Sequence, residues 1–277
     1  MGQNKIIITV APSIPPYMAK QVPGLDLSPQ GVAEEVIRAH AAGASLVHLH
    51  VWDEHGQPTR ELSAFRRTLE LIRAKCDIII EGSTGGFNEL TAAERSVALE
   101  CDIELASLNP GSVNYDAGVY INSPDHIDYW CSTMHQRGIK PDIAIFEVGM
   151  IANAVERIEK GWIQPPYLFG FVLGQKGAMP ATPRNLLFLS ESLPPNSVWG
   201  AIGHSGNDLV MAALAMNMGG HVRAGFEDNP YYRPGELAKS NAQLIERLVR
   251  LAREIGREPA SPDEARELLG ISKGEKI

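Results

Sequence analysis

Ala44-Ser-Leu-Val-His-Leu-His-Val51 sets two histidines at i and i+2 inside an apolar, β-branched run. Side chains alternate across a strand, so His48 and His50 share one face. Their Cα atoms then lie roughly 6–7 Å apart, which lets both rings reach one metal ion from the same side. The pair also suits hydrogen-bonded core histidines, and what favours metal is a carboxylate to complete the set. Gly220-His-Val-Arg-Ala-Gly-Phe-Glu-Asp-Asn229 offers one at Glu227, past the end of another short strand.

The histidine run is one of eight β-rich segments: Ile6–Val10, Leu46–Val51, Ile78–Ser83, Ile103–Leu108, Ile143–Val148, Leu168–Leu173, Val198–Ile202 and His221–Gly225. Each is followed by a stretch with helical periodicity: Pro29–Ala42, Ser63–Lys75, Thr91–Leu99, Pro124–Arg137, Ile151–Lys160, Pro183–Ser190, Asn207–Met218 and Gly235–Ile255. Eight strand-then-helix units predict an α/β (β/α)8 barrel rather than an open doubly wound sheet, which carries a glycine-rich first turn that is absent here. No low-complexity linker divides residues 1–277, so one TIM-barrel domain is expected. Ser261-Pro-Asp-Glu-Ala-Arg-Glu-Leu-Leu-Gly270 begins with a helix-start signal and predicts an extra C-terminal helix, placed on the outside or against a neighbouring subunit.

Composition narrows the function. The 277 residues are 44% hydrophobic and 21% charged, enough to bury a full core. With 25 basic and 33 acidic side chains the net charge is −8, which argues against a nucleic-acid surface. The N-terminal apolar run is too short for a secretory signal, and no segment is long enough to span a bilayer, so a cytoplasmic protein without membrane association is expected. Cys76, Cys101 and Cys131 are widely spaced and form no CxxC, so they read as small buried hydrophobes.

Barrel enzymes carry their catalytic side chains at the C-terminal ends of the strands, and the uncommon polar residues of this chain fall there. The second strand ends in His48 and His50, the third in Ser83-Thr-Gly-Gly86, the fourth in Ser107-Leu-Asn109, the fifth in Glu147, and the eighth in Arg223 and Glu227-Asp228. Ser83, Thr84 and the N–H groups of Gly85 and Gly86 suit an anion-binding nest, with Ser107 donating alongside; a tight glycine turn with a helix cap fits the same residues. Two imidazoles and a carboxylate favour Zn²⁺, with Mn²⁺, Co²⁺ and Ni²⁺ also compatible, and leave open positions for substrate oxygens. Asp228 follows the proposed ligand directly and is the general-base candidate, while Arg223 is the natural partner for Glu147.

Together these motifs resemble the β-keto acid cleavage enzymes. The likeness rests on His48-Leu-His50, Ser83-Thr-Gly-Gly86, Ser107-Leu-Asn-Pro-Gly111, Phe146-Glu-Val-Gly-Met150, Phe171-Val-Leu-Gly174, Gly219 to Asn229 and Ser240-Asn-Ala-Gln-Leu244, and it covers nearly the whole chain. The resemblance implies a zinc-containing TIM barrel, commonly a homotetramer, that joins a β-keto acid with acetyl-CoA to give acetoacetate and a new acyl-CoA. It implies His48, His50 and Glu227 as metal ligands and Asp228 as the base that forms an enolate. It further implies a buried Arg223–Glu147 pair that positions Asp228, and Ser83, Gly86 and Ser107 as contacts to the substrate carboxylate.

Three positions depart from relatives that take charged substrates. Pro16 stands at or near the glutamate that holds an ammonium in the aminohexanoate-cleaving members, Trp52 replaces an arginine shortly after the HxH, and His204 replaces an arginine after the seventh strand. These losses predict a β-keto acid with a neutral tail. Competing readings are a metal-dependent aldolase or acyl-CoA lyase, which shares the enolate chemistry, and a metal-binding barrel without activity. An amidohydrolase also starts from HxH in a barrel, but it needs histidines on the fifth and sixth strands, where this chain has none.

Overall fold

Alternation along the strands sorts the apolar residues into two clusters. Ile8, Val10, Val47, Leu49, Ile80, Ile143, Ile145, Phe169 and Phe171 face outward and pack in the main core with the surrounding helices, whereas Ile7, Leu46, Ile79, Leu105 and Leu168 face inward. A computed structural model describes residues 4–14, 21–86, 88–116 and 118–272. Among the described residues, eight parallel strands close into one barrel: β1 Ile8–Val10, β2 Leu46–Leu49, β3 Ile79–Gly82, β4 Leu105–Leu108, β5 Lys140–Ile145, β6 Tyr167–Leu173, β7 Ser197–Gly203 and β8 His221–Ala224. Each strand lies beside its successor, and β8 pairs with β1 to complete the ring. The register puts His48 beside Glu81 and Ile202 beside Arg223.

The helices that cover the barrel are α1 Pro29–Ala41, α2 Ser63–Arg73, α3 Ala92–Arg95, α4 Pro124–Arg137, α5 Gly149–Glu159, α6 Pro183–Glu191, α7 Asp208–Asn217 and α8 Asn241–Glu254. Local chemistry sets their limits. Ser28, Ser123, Thr182 and Ser240 each cap an N-terminus by accepting a backbone N–H, and three of these four caps are followed directly by proline at the first helical turn. The expected helix over Thr91–Leu99 is shorter, because Ser96 donates its hydroxyl back to Ala92 O and the chain tightens into a 3-10 turn at Val97–Glu100. Similarly, Pro234-Gly235 turns a small hairpin between Tyr231–Arg233 and Glu236–Leu237, so the last barrel helix starts at its Ser240 cap and not at Gly235.

The C-terminal helix α9, Pro262–Leu269, closes the floor of the barrel. Ala265 and Leu269, with Ala260 ahead of the helix, complete the inward apolar cluster. Burying a side chain such as Leu269 contributes roughly 1.5–3 kcal/mol. Arg266 is buried and bridges Asp77, 2.9 Å away, and Glu104, 2.5 Å away, which precede β3 and β4. The helix therefore spends its apolar stripe on the end of the barrel and not on the outside of the helical ring.

Two further differences bear on the site. The fifth strand runs from Lys140 to Ile145, three residues earlier than expected, because Ile143 and Ile145 face the helices and the turn begins at Phe146. An antiparallel hairpin, Val113–Tyr115 with Gly118–Tyr120, follows β4.

Candidate active site

Inward positions above the apolar layer are polar on successive strands: Thr9, His48, Glu81, Ser107, Asp142 and Arg223. His50, Ser83 and Asn109 follow them two residues on, toward the C-terminal mouth. Here His48, His50 and Glu227 meet, with one ligand atom from each lying within 4.8 Å of the others. His50 Nε2 is 3.3 Å and His48 Nε2 3.7 Å from Glu227 Oε1, and the rings stand edge to face with centroids 5.1 Å apart. Glu227 Oε2 is buried without a hydrogen-bond partner. Two imidazole nitrogens, a carboxylate and an orphaned buried oxygen fit a divalent transition metal.

Asp228 lies at the edge of this cluster, its side chain almost fully buried. Arg223 donates to both of its oxygens, from Nε at 3.0 Å and Nη2 at 2.9 Å, and also to Glu227 Oε1 at 2.6 Å. Burial favours the protonated form of Glu227, but Arg223, with His50 and His48, outweighs it and holds the carboxyl well below the usual range. Burial likewise disfavours the guanidinium charge, yet Asp228 and Glu227 keep Arg223 firmly protonated. His204 Nε2 stands 3.7 Å from Asp228 Oδ1, and burial lowers its pKa against the opposing pull of that carboxylate.

The Ser83–Gly86 turn is wired to its neighbours. Gly85 N–H donates to Ser83 Oγ at 3.0 Å, Thr84 N–H donates to Ser107 Oγ at 3.0 Å, and Thr84 Oγ1 donates to Ser107 O at 2.6 Å. The expected cradle of backbone N–H groups is thus largely engaged within the protein. What Ser83 and Ser107 present instead are hydroxyl protons, since each oxygen already accepts from the backbone.

The family described as β-keto acid cleavage enzyme matches residues 5–271. The chain belongs to that family. A 3-keto-5-aminohexanoate cleavage enzyme of Fusobacterium nucleatum is 44% identical over 272 residues, covering 98% of this chain and 99% of that protein. A 3-oxoadipate:acetyl-CoA acetyltransferase of Cupriavidus necator is 36% identical, covering 96% and 94%. Among solved structures, apo ObcA superimposes with a TM-score of 0.77 at 20% identity, covering 90% of this chain and 66% of that chain, a likeness of fold alone. The protein is accordingly an enzyme that cleaves β-keto acids, built on the TIM barrel that its strand pattern predicts.

Within this family member the expected Arg223–Glu147 pair is not formed. Arg223 has Glu227 and Asp228 as its carboxylate partners, and Glu147, past the end of β5, is half-buried with its pKa raised by burial. The inward carboxylate of that strand is Asp142, which alternation with Ile143 and Ile145 turns into the barrel. Burial, then the nearby Glu81, pushes Asp142 well above the usual carboxylate range. Glu81 itself approaches His48 Nδ1 at 2.9 Å. The contact falls outside hydrogen-bond geometry, so it places a carboxylate behind the ring, as is common for metal-binding histidines, while Nε2 faces Glu227. Although burial opposes it, Glu81 raises the pKa of His48, with Glu227 adding to the effect and Arg223 opposing it.

Sequence reasoning also passed over what holds the Glu227-Asp228 turn. A Cβ on Gly225 would stand 2.0 Å from Ala11 O, so only glycine lets the turn cross the end of β1. Asn241, fully buried, accepts from Phe226 N at 2.9 Å and donates to Pro12 O and Glu35 Oε2 at 3.2 and 2.8 Å. Asn229 donates to Asp208 Oδ1 at 2.6 Å, and Arg247 closes on Asp208 Oδ2 at the same distance. The Asn241 bonds are the structural content of the Ser240-Asn-Ala-Gln-Leu244 motif, which carried no chemistry of its own in the sequence.

Proposed function

We propose that this enzyme condenses a neutral-tailed β-keto acid with acetyl-CoA to give acetoacetate and a new acyl-CoA. The observation that carries the reading is the adjacency of Glu227, beside His48 and His50, and Asp228, clamped by Arg223 through both oxygens. The substrate names of the relatives support acetyl-CoA as the co-substrate. A divalent ion held by His48, His50 and Glu227, zinc by its donor set, supplies Lewis-acid stabilisation of enolate charge.

Asp228 takes a proton from the methylene between the substrate's carboxylate and ketone. The carbon attacks the acetyl thioester carbonyl and displaces the CoA thiolate. That thiolate adds to the original ketone carbon, the carbon–carbon bond breaks, and acyl-CoA is formed. The departing carbanion recovers the proton from Asp228 and leaves as acetoacetate. Arg223 orients Asp228 throughout, and Ser83 and Ser107 donate their hydroxyls to the substrate carboxylate, with the Gly86 backbone lining that end.

A neutral tail is supported by the walls beside the ligands. Trp52 is buried and stacks on His50 with ring centroids 5.5 Å apart, and the desolvated His204 is uncharged at pH 8. Pro16 lies outside the described residues. A tail ammonium or carboxylate gains no fixed partner from Trp52 or His204, and an unpaired buried charge costs several kcal/mol. In a panel assayed with acetyl-CoA at pH 8 for acetoacetate, neutral-tailed acids are expected to exceed 3-keto-5-aminohexanoate and 3-oxoadipate in kcat/KM by about tenfold or more. Preference for either charged substrate would overturn the tail reading, and turnover without acetyl-CoA would favour a lyase.

We further propose a cytoplasmic homotetramer. The free thiols of Cys76, Cys101 and Cys131 suit a reducing compartment, and the exposed Leu187 and Phe188 of α6 and Leu209 and Val210 of α7 supply apolar surface for association.

A further inference from the structure

Arg95 is 4% exposed, yet among the described residues no carboxylate lies within ion-pair distance of it. Its guanidinium donates to Thr84 O, Ile121 O, Asn122 Oδ1 and Tyr120 Oη, and it packs between the faces of Tyr120 and Trp130, at 4.9 and 4.6 Å from their centroids. A buried cation satisfied only by neutral groups keeps its field for an anion nearby. That field is aimed at the Ser83–Gly86 turn through Tyr120, whose hydroxyl accepts from Arg95 Nη2 at 2.8 Å and faces the Gly86 N–H. With its lone pairs so engaged, the hydroxyl has its own proton left to donate.

Gly85 lies against that hydroxyl. Its backbone does not adopt the left-handed conformation, so glycine is not required by φ. A Cβ there would stand 3.1 Å from Ser83 Oγ, 3.4 Å from Tyr120 Oη and 3.7 Å from His50 Cε1. Two hydroxyls and the edge of a proposed metal ligand thus converge on the bare Cα of Gly85, and a side chain there would crowd all three.

We propose that a carboxylate oxygen of the substrate lies against the face of Gly85 and that Tyr120, oriented by Arg95, donates to it alongside Ser83. The assignment rests on the β-keto acid reading and adds Tyr120 as a binding residue, with Arg95 as a positioning residue behind it. It gives the HxH-side turn a source of positive charge that never touches the substrate.

The probes are 3-oxohexanoate and its uncharged analogue 3-oxohexanamide, titrated calorimetrically into the purified enzyme without acetyl-CoA. Wild type is expected to bind the acid well above the amide. Tyr120→Phe is expected to weaken the acid about ten- to hundredfold, the worth of a hydrogen bond to a charged group, with little change for the amide. In turnover the same variant raises KM far more than it lowers kcat. Gly85→Ala, whose methyl meets only side-chain atoms, should fold normally and lose the acid as well. A Tyr120→Phe enzyme that binds the acid as wild type does, or loses acid and amide equally, overturns the assignment, as does normal acid binding by Gly85→Ala. A wild type that neither binds the acid nor forms acetoacetate from it with acetyl-CoA instead overturns the function from which the assignment starts.

Discussion

Asp228→Asn is expected to lower kcat by about 10²–10⁴-fold, the usual contribution of a general base, while metal content and melting behaviour change little. The substitution is nearly isosteric, and the amide oxygen can still accept one of the two hydrogen bonds that Arg223 gives the carboxylate. Arg223 also keeps Glu227 as an ionic partner at 2.6 Å, so its charge is not stranded. What is removed is the ability to take the proton. Steady-state kinetics with metal analysis on the same preparation checks this; near-normal turnover would move the base elsewhere, with His204, 3.7 Å from Asp228, as the next group to test.

The second large effect concerns metal content. Wild type is expected to hold one divalent ion per chain, and the double variant His48→Ala/His50→Ala to hold almost none after dialysis, because Glu227 alone remains of three ligands. Removing the His48 ring also strands Glu81, which lies 2.9 Å from its Nδ1, and opens a cavity in the barrel. His50→Ala is the gentler control, since that ring is 25% exposed. It should lose most of the metal with the fold intact by circular dichroism. Undiminished metal in either folded variant would contradict the ligand set.

The sequence made the parts governed by local rules visible. A two-residue period puts His48 and His50 on one face of any strand, and strand-then-helix repetition leaves few architectures besides the barrel. Glu227 and Asp228 stood out because two acids follow directly on a short strand. The misplacement of the Arg223 partner has a different origin. Strand ends are set by register with neighbours, and β5 pairs with β4 from Lys140 onward, which puts Glu147 beyond the strand and Asp142 inside. The alternation of Asp142, Ala144 and the flanking isoleucines held that signal. Glu81 was harder to see, because a carboxylate within Ile-Ile-Ile-Glu-Gly gives no sign of the histidine it meets on the adjacent strand. Tyr120 and Arg95 are 25 residues apart and joined only by tertiary folding, which no local period encodes. The role of α9 was hidden for a similar reason: an amphipathic helix announces a face to bury, and the open floor of the barrel is what it finds.

The central claim is the path of the acetyl group, and it can be followed directly. Incubation with unlabelled 3-oxohexanoate and acetyl-CoA carrying ¹³C at both acetyl carbons should give acetoacetate labelled at the ketone and methyl carbons, with an unlabelled acyl-CoA, by mass spectrometry and NMR. Label in the carboxylate half of acetoacetate, label in the new acyl-CoA, or acetoacetate formed without any label would contradict the account.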